Sequence, residues 1–267
     1  LQGTGCFFSV FSEANPANSN MNIAWLWQSG LGIGDRDFYL EDKSQAIRDQ
    51  YVVLLTKLLK LSTYNQVAKL EGKEEATAKA VLALETEMAK IFMDKNDLRD
   101  PFKTYHYIAV DDLQQLLPVM DVKLYLQTIG LTDLDSINVG QPEYIKGLNK
   151  LLLATDINTI KAYLALQLAN DASPYLSEEF VKTNFDFYGT VLSGKTEMKP
   201  RWKRVVSTVD ACLGEAVGQM YVEKYFPSQA KDRMLKLVDN LKIALGERIK
   251  QNTWMTDETK EKALEKL

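Results

Sequence analysis

Along the chain the spacing of apolar residues changes character once, near position 40. Before that point, CFFSVFSEANPANSNMNIAWLWQSG sets two aromatic and β-branched runs on either side of an Asn, Pro and Ser cluster. That pattern predicts a β-hairpin with a long loop, its strands near Cys6 to Ser12 and Met21 to Gln28. The stretch GLGIGDRDFYL follows, and Gly30, Gly32 and Gly34 mark it as a loop.

From Asp42 onward the period is helical. Ile47, Tyr51, Leu54, Leu55, Leu58, Leu59 and Leu61 fall on one stripe of a helical wheel and predict a long amphipathic helix. After the polar break EGKEE, a second helix places Ala76, Ala80, Val81, Leu84, Met88, Ile91 and Phe92 on one face. Lys79, Glu85, Glu87 and Lys90 are expected on the opposite, solvated face, and the two helices are expected to pair as an antiparallel hairpin.

Shorter helices follow, punctuated by caps. Asp111 is read as the cap of DLQQLL, which Pro118 ends, and Asp121 as the cap of VKLYLQTIG, with Gly130 just past its end. Pro142 opens PEYIKGLNKLLL, and Thr155 is read as the cap of a helix from Asp156 to Asn170. The last third predicts helices near Pro174 to Tyr188, Pro200 to Tyr225, Ser228 to Gln251 and Thr256 to the end. The fold class expected is mainly α: one multi-helix domain, with hairpin and Gly-rich loop over 1–40 and helices over 41–267. No internal repeat or low-complexity tract interrupts it.

Composition narrows the function classes. The 267 residues carry 32 basic and 36 acidic side chains, a net charge of -4, so the basic footprint of a nucleic-acid binder is absent. No apolar run approaches the ~20 residues that span a bilayer, and no membrane contact is expected of this chain. Two cysteines, Cys6 and Cys212, are too few to staple a fold of this size. The sequence opens at Leu1 without a methionine or a leader pattern and closes at Leu267 within a helical pattern, so it is read as part of a longer protein.

Candidate chemistry is sparse. Gly189, Gly194, Lys195 and Thr196 match the phosphate-loop pattern G-x-x-x-x-G-K-[ST]. A working loop must leave a buried parallel strand and open a helix, yet the residues upstream have helical spacing and Pro200 lies five residues after the lysine. A connection between two helices is therefore expected there. His106 is the sole histidine, so neither an H-E-x-x-H motif nor a histidine pair for zinc can be drawn, and packing or a hydrogen bond is its expected role. No G-x-S-x-G occurs either. The carboxylate pairs Asp111 with Asp112 and Glu178 with Glu179 sit at helix starts, where negative charge meets the helix dipole favourably. The run KPRWKRVV does the opposite. Lys199, Arg201, Lys203 and Arg204 crowd a first helical turn around Trp202, where cations are disfavoured, so acidic groups elsewhere in the fold or on a neighbouring domain are expected to receive them.

Three stretches together resemble the neprilysin-like M13 zinc metallopeptidases, including their bacterial PepO-like branch. NSNMNIAWLWQSGLGIGDRDFYL ends in a Gly-rich turn and the run Asp35, Arg36, Asp37, Phe38, Tyr39. PRWKRVVSTVDACLGEAVGQMYVEKYF joins an Arg-Trp-Lys-Arg helix to Ala216, Gly218, Tyr221 and Val222. NTWMTDETKEKALEKL is similar to the segment that follows in the family. The resemblance implies the helical lid portion of a two-domain zinc oligopeptidase, enclosing a chamber that selects peptides by size. The family's H-E-x-x-H helix and remaining zinc ligands lie beyond the matched region. It therefore implies no catalytic or metal-binding residue in this chain, zinc only in the full-length protein, and inactivity of this part alone. Arg36, Asp37, Arg201, Trp202, Lys203 and Arg204 are the family-signature positions, with structural or interdomain roles implied. The partners implied are oligopeptide substrates and the catalytic domain of the same polypeptide. Val205 stands where vertebrate-type members often have cysteine, which points to an exported bacterial relative, periplasmic or secreted. Two other readings stay open on the residues alone: a stand-alone helical module that binds peptides or proteins, and a nucleotide-binding enzyme using Lys195.

Overall fold

The computed structural model of the chain describes residues 5–267, so residues 1–4 of the expected hairpin segment lie outside the described residues. Strands β1 (Phe8–Asn15) and β2 (Asn18–Gln28) form the expected hairpin, paired from Phe8 opposite Gln28 to Asn15 opposite Asn18. The strands run closer to the turn than their apolar pattern shows, and the loop shrinks to Pro16 and Ala17. The Asn15 side chain closes this turn by accepting from the Ala17 N–H at 2.9 Å and from the Tyr105 hydroxyl at 2.9 Å. Residues 18–22 are exposed, so no buried face imposes alternation there.

Helices α1 (Asp37–Leu40), α2 (Gln45–Leu61), α3 (Tyr64–Ala68), α4 (Glu74–Ile91) and α5 (Pro101–Thr104) follow. Strand β3 (Tyr107–Ala109), helices α6 (Val110–Leu116) and α7 (Val122–Thr128), and strand β4 (Ser136–Val139) come next. The sheet order is β1-β2-β4-β3, with β4 parallel to β2 and antiparallel to β3. The apolar pattern gave no sign of β3 and β4, which hold three and four residues. Their pairing is tied by Asn138, fully buried, which accepts from the His106 N–H at 2.6 Å and donates to the Thr104 carbonyl at 3.0 Å. The His106 ring lies 3.1 Å from the Val139 carbonyl, the hydrogen bond expected of a lone histidine.

Helices α8 (Pro142–Ala154), α9 (Ile157–Ala172) and α10 (Glu178–Asn184) complete this part, and α10 runs on into a π-helix over Phe185–Val191. Asp121 caps α7 and Pro142 opens α8, as the sequence predicts. Two caps differ. Helix α6 starts one residue before Asp111, with Ala109 at its cap, and Asp111 instead pairs with Lys123 at 2.7 Å. At α9 the cap is Asp156, whose Oδ2 accepts from the Asn158 and Thr159 N–H groups, while the Thr155 hydroxyl turns back to the Leu151 carbonyl.

The chain forms two compact units, residues 1–198 and 199–267. The first has two cores. One gathers Leu54, Leu55, Leu58 and Leu59 of α2, Val81, Leu84 and Met88 of α4, and Tyr163 and Leu166 of α9. The other sets Leu26, Ile137 and Val139 of the sheet against Leu113, Leu126, Tyr144 and Leu148 of α6, α7 and α8. Contacts along the α2–α4 pair run in opposite senses: Tyr51 meets Glu85, whereas Asn65, just after α2, meets Glu74 at the start of α4. This is the antiparallel arrangement expected. The second unit holds α11 (Arg201–Tyr225), α12 (Ser228–Gln251) and α13 (Asp257–Lys266). Among its residues only Gly246 is buried.

Candidate functional site

The chief departure from the sequence reading is Glu85. Expected on the solvated face of α4, it is completely buried. Ala78, Val81, Leu84, Met88 and Ala89 bury the same stripe, and Glu85 stands one turn from both Val81 and Ala89, inside it. Ala76, expected on the apolar face, is exposed, and Ala78 takes that place.

Four donors converge on the Glu85 carboxyl. The Tyr39 hydroxyl donates to Oε2 at 2.5 Å, the Gly32 N–H to Oε2 at 3.3 Å, the Tyr51 hydroxyl to Oε1 at 3.0 Å and Gln167 Nε2 to Oε1 at 3.1 Å. Burial nevertheless pushes the carboxyl up to about 7, since removal from water outweighs the donors that favour its charged form. Burial and the neighbouring Glu85 together hold the Tyr39 and Tyr51 hydroxyls well above the usual tyrosine range.

The Gly-rich turn is built into this cluster. Tyr163 Oη and Gln167 Nε2 donate to the Gly30 carbonyl at 2.9 and 3.0 Å, and Tyr188 Oη donates to the Gly32 carbonyl at 2.8 Å. Gly30 has φ 100°, and a Cβ there would lie 1.8 Å from the Cys6 carbonyl oxygen. A Cβ on Gly32 would lie 1.9 Å from the Tyr51 hydroxyl. The glycines that mark this stretch as a loop therefore also let it approach a buried carboxyl closely. A polar relay continues outward, from Asn184 Nδ2 to Asn170 Oδ1 and from Asn170 Nδ2 to Tyr188 Oη. It ends in an open cleft of about 410 Å³, lined by Gly30, Gly32, Gln167, Asn170, Asp171 and Tyr188 among others. Tyr188 belongs to the π-helix, an irregularity that often accompanies functional positions.

The signature residues divide between the two units. Arg36 Nη1 donates to the Phe92 carbonyl at the end of α4 at 2.5 Å, and Asp37 pairs with Lys95 at 2.8 Å, which holds its carboxyl below the ordinary range. Both contacts fasten the segment after the glycines to the C-terminal end of α4, where an arginine donor satisfies an open carbonyl. Arg201, Trp202, Lys203 and Arg204 form the first turn of α11. Trp202 is 64% exposed, Lys203 Nζ stands 5.4 Å from its ring centre, and Arg204 Nε donates to the Lys199 carbonyl. Among the described residues none of these cations forms an ion pair with a carboxylate.

The phosphate-loop letters serve helix termination. The Gly194 N–H donates to the Thr190 carbonyl and the Lys195 N–H to the Gly189 carbonyl, so these amides close the π-helix. Gly189 is buried against the Phe185 ring, and the segment before it is helical where a phosphate loop requires a parallel strand. Zinc donors do not assemble either: among the described residues no three His, Cys, Asp or Glu side chains come together to hold a metal ion.

Comparison with known proteins decides the family. The model of Peptidase family M13, in its N-terminal part, matches residues 1–267. The chain belongs to peptidase family M13. Human endothelin-converting enzyme 1 is 30% identical over 271 residues, a match covering 98% of this chain and 34% of the enzyme. The Mycobacterium tuberculosis zinc metalloprotease Zmp1, solved with an inhibitor, superposes with a TM-score of 0.88 at 28% identity, over 98% of this chain and 39% of that one. PepO from Lactobacillus rhamnosis shares the fold at a TM-score of 0.77 and 18% identity, over 97% and 40% of the two chains. This M13 chain thus spans about a third of the length of its curated relatives. The mainly helical fold with an N-terminal hairpin agrees with the sequence reading. No helix among the described residues is long and apolar enough to cross a membrane.

Proposed function

We propose that this chain is the helical lid portion of a zinc-dependent oligopeptidase, which encloses the substrate chamber and admits peptides by size. The single observation that carries this reading is the match of the whole chain to the N-terminal part of family M13, covering only a third or so of its relatives. Among the described residues no His, Cys, Asp and Glu side chains gather into a zinc site, so the metal and the hydrolytic groups are assigned to a catalytic domain of the same polypeptide. Its contribution is to bind, enclose and exclude. The apolar faces left open on α11 and α12, with the unpaired cations at the start of α11, are assigned to contact with that domain. The full-length protein is placed outside the cytoplasm, as an exported bacterial enzyme.

The test is the coding sequence downstream of Leu267. An H-E-x-x-H motif is expected there, and a stop codon shortly after Leu267 would overturn the assignment. The purified chain is expected to leave peptides uncut. Chelator-sensitive cleavage by these residues alone would equally overturn the division of roles.

A further inference from the structure

The Glu85 carboxyl is surrounded by donors alone. Four N–H and O–H groups occupy its two oxygens, which suits a carboxylate and offers a carboxyl proton no ready acceptor. Only the two tyrosine oxygens can take that proton, and the hydroxyl that does so must turn its own O–H elsewhere. Among the described residues neither hydroxyl has a second acceptor. Tyr39 Oη already accepts from the Ile33 N–H at 3.0 Å, and Tyr51 Oη lies hard against Gly32. The geometry thus favours the charged form that burial disfavours, and both demands fall on one side chain. The titratable groups facing Glu85 are Tyr39 of α1, Tyr51 of α2, Tyr163 of α9 and Tyr188 of the π-helix, with Cys6 and Asp171 acting on Tyr163 from farther out. Burial holds all four hydroxyls above the usual tyrosine range, and no cation donates to the carboxyl, so Glu85 is the group that changes charge near neutrality.

Gly32 links this carboxyl to the cleft. Its N–H donates to Glu85 Oε2 and its carbonyl accepts from Tyr188 Oη. Tyr188 Oη accepts in turn from Asn170 Nδ2, and Asn170 Oδ1 from Asn184 Nδ2, so one hydrogen-bonded chain runs from the buried group to the cleft wall. We propose that Glu85 is a proton-sensitive latch on the Gly-rich turn. Ionised, it draws the Gly32 N–H and both tyrosine hydroxyls onto α4. Protonated, it turns one hydroxyl away, slackens its hold on Gly32 and passes the change through Tyr188 to the Asn170 and Asn184 amides. A carboxylate is the stronger acceptor, so the charged form holds the turn more firmly even though the neutral form is the one that burial tolerates in the fold as a whole.

The test is proton–nitrogen NMR of the chain from roughly pH 5 to pH 9, read at the Gly32 and Ile33 backbone N–H groups and at the Asn170 and Asn184 side-chain amides. These signals are expected to move together with a single midpoint of about 7. Protection of the Gly32 N–H from exchange, corrected for the intrinsic rate, is expected to fall about tenfold from the basic to the acidic end. Glu85→Gln keeps the shape, cannot ionise and is expected to flatten every curve. Y39F removes a donor that favours the charged form and is expected to raise the midpoint. Y188F is expected to silence Asn170 and Asn184 while Gly32 still titrates. Flat curves in the wild type, a titration that survives in E85Q, a midpoint that Y39F leaves in place or lowers, or Asn170 following pH in Y188F would overturn the proposal. Circular dichroism is expected to stay constant across the range, and a loss of helix at the same midpoint would overturn it as well. None of these outcomes bears on the downstream-motif test.

Discussion

Glu85 is held by two tyrosine hydroxyls, a backbone N–H and a glutamine amide, yet sits where a carboxylate loses all contact with water. The balance sets a pH dependence. With its pKa raised from 4.5 to about 7, the folded chain keeps a proton that the unfolded chain releases. Stability associated with this group is therefore full below pH 4.5 and is lost as pH rises through about 7, by roughly 3 kcal/mol over the window. Surface carboxylates add their own slopes, so the difference between wild type and Glu85→Gln is the quantity to follow. Urea unfolding at several pH values is expected to show wild type losing that amount relative to E85Q between acid and neutral pH. A constant difference would mean that the four donors keep the carboxylate charged throughout. The sequence contained the signal for this burial. Glu85 lies on the wheel among Val81, Leu84 and Met88, but a charged letter placed within an apolar stripe was assigned by its chemistry to the solvent side.

At the scale of elements, caps were legible where one side chain faces the first turn, and misplaced at α9, where two candidates stand together, and at α6, which has Ala109 at its cap and no side-chain cap. Asp156 and Thr155 are neighbours, and the carboxylate accepts two N–H groups while the hydroxyl serves the preceding helix. Asp156→Ala is therefore expected to cost about 1 kcal/mol in denaturant unfolding. Asp111→Ala removes only an exposed pair with Lys123 and should stay within about 0.5 kcal/mol. Equal losses would show that the two aspartates do the same work. The long helices were legible because each buries an apolar stripe, and α2 and α4 supply the clearest cases. β3 and β4 were not, since three or four residues give no period, and a buried Asn138 decides their pairing at a distance of over thirty residues. The π-helix was invisible for a related reason: its apolar letters fit an ordinary helix, and its wider turn shows in hydrogen bonds such as that from the Leu192 N–H to the Phe187 carbonyl, five residues back. Of the cleft, the glycines and tyrosines could be read individually, but their convergence on one carboxyl required the packing of α1, α2, α4 and α9.

Taken as a whole molecule, the chain distributes its apolar burial unevenly. Residues 1–198 contain both hydrophobic cores, whereas in residues 199–267 Met220, Tyr221, Tyr225, Leu241, Ile243 and Trp254 are each about half or more exposed. Helices of 25 and 24 residues have enough length to persist, but an apolar face left in water supplies little of the packing energy that normally holds a helix. Local opening should therefore cost less in α11 and α12 than in α2 and α4. Native-state hydrogen exchange on the chain is expected to show this order, with the slowest amides around Leu54 to Leu59 and Val81 to Met88 and markedly faster exchange from Val205 to Leu245. α11 is expected to be weakest near Leu213, where its backbone leaves helical geometry. If a catalytic domain covers these faces, adding that domain should slow exchange in α11 and α12 and leave α2 and α4 unchanged. Equal protection of both units in the chain alone would show that α11 and α12 already bury their apolar faces, and would remove the need for a covering partner.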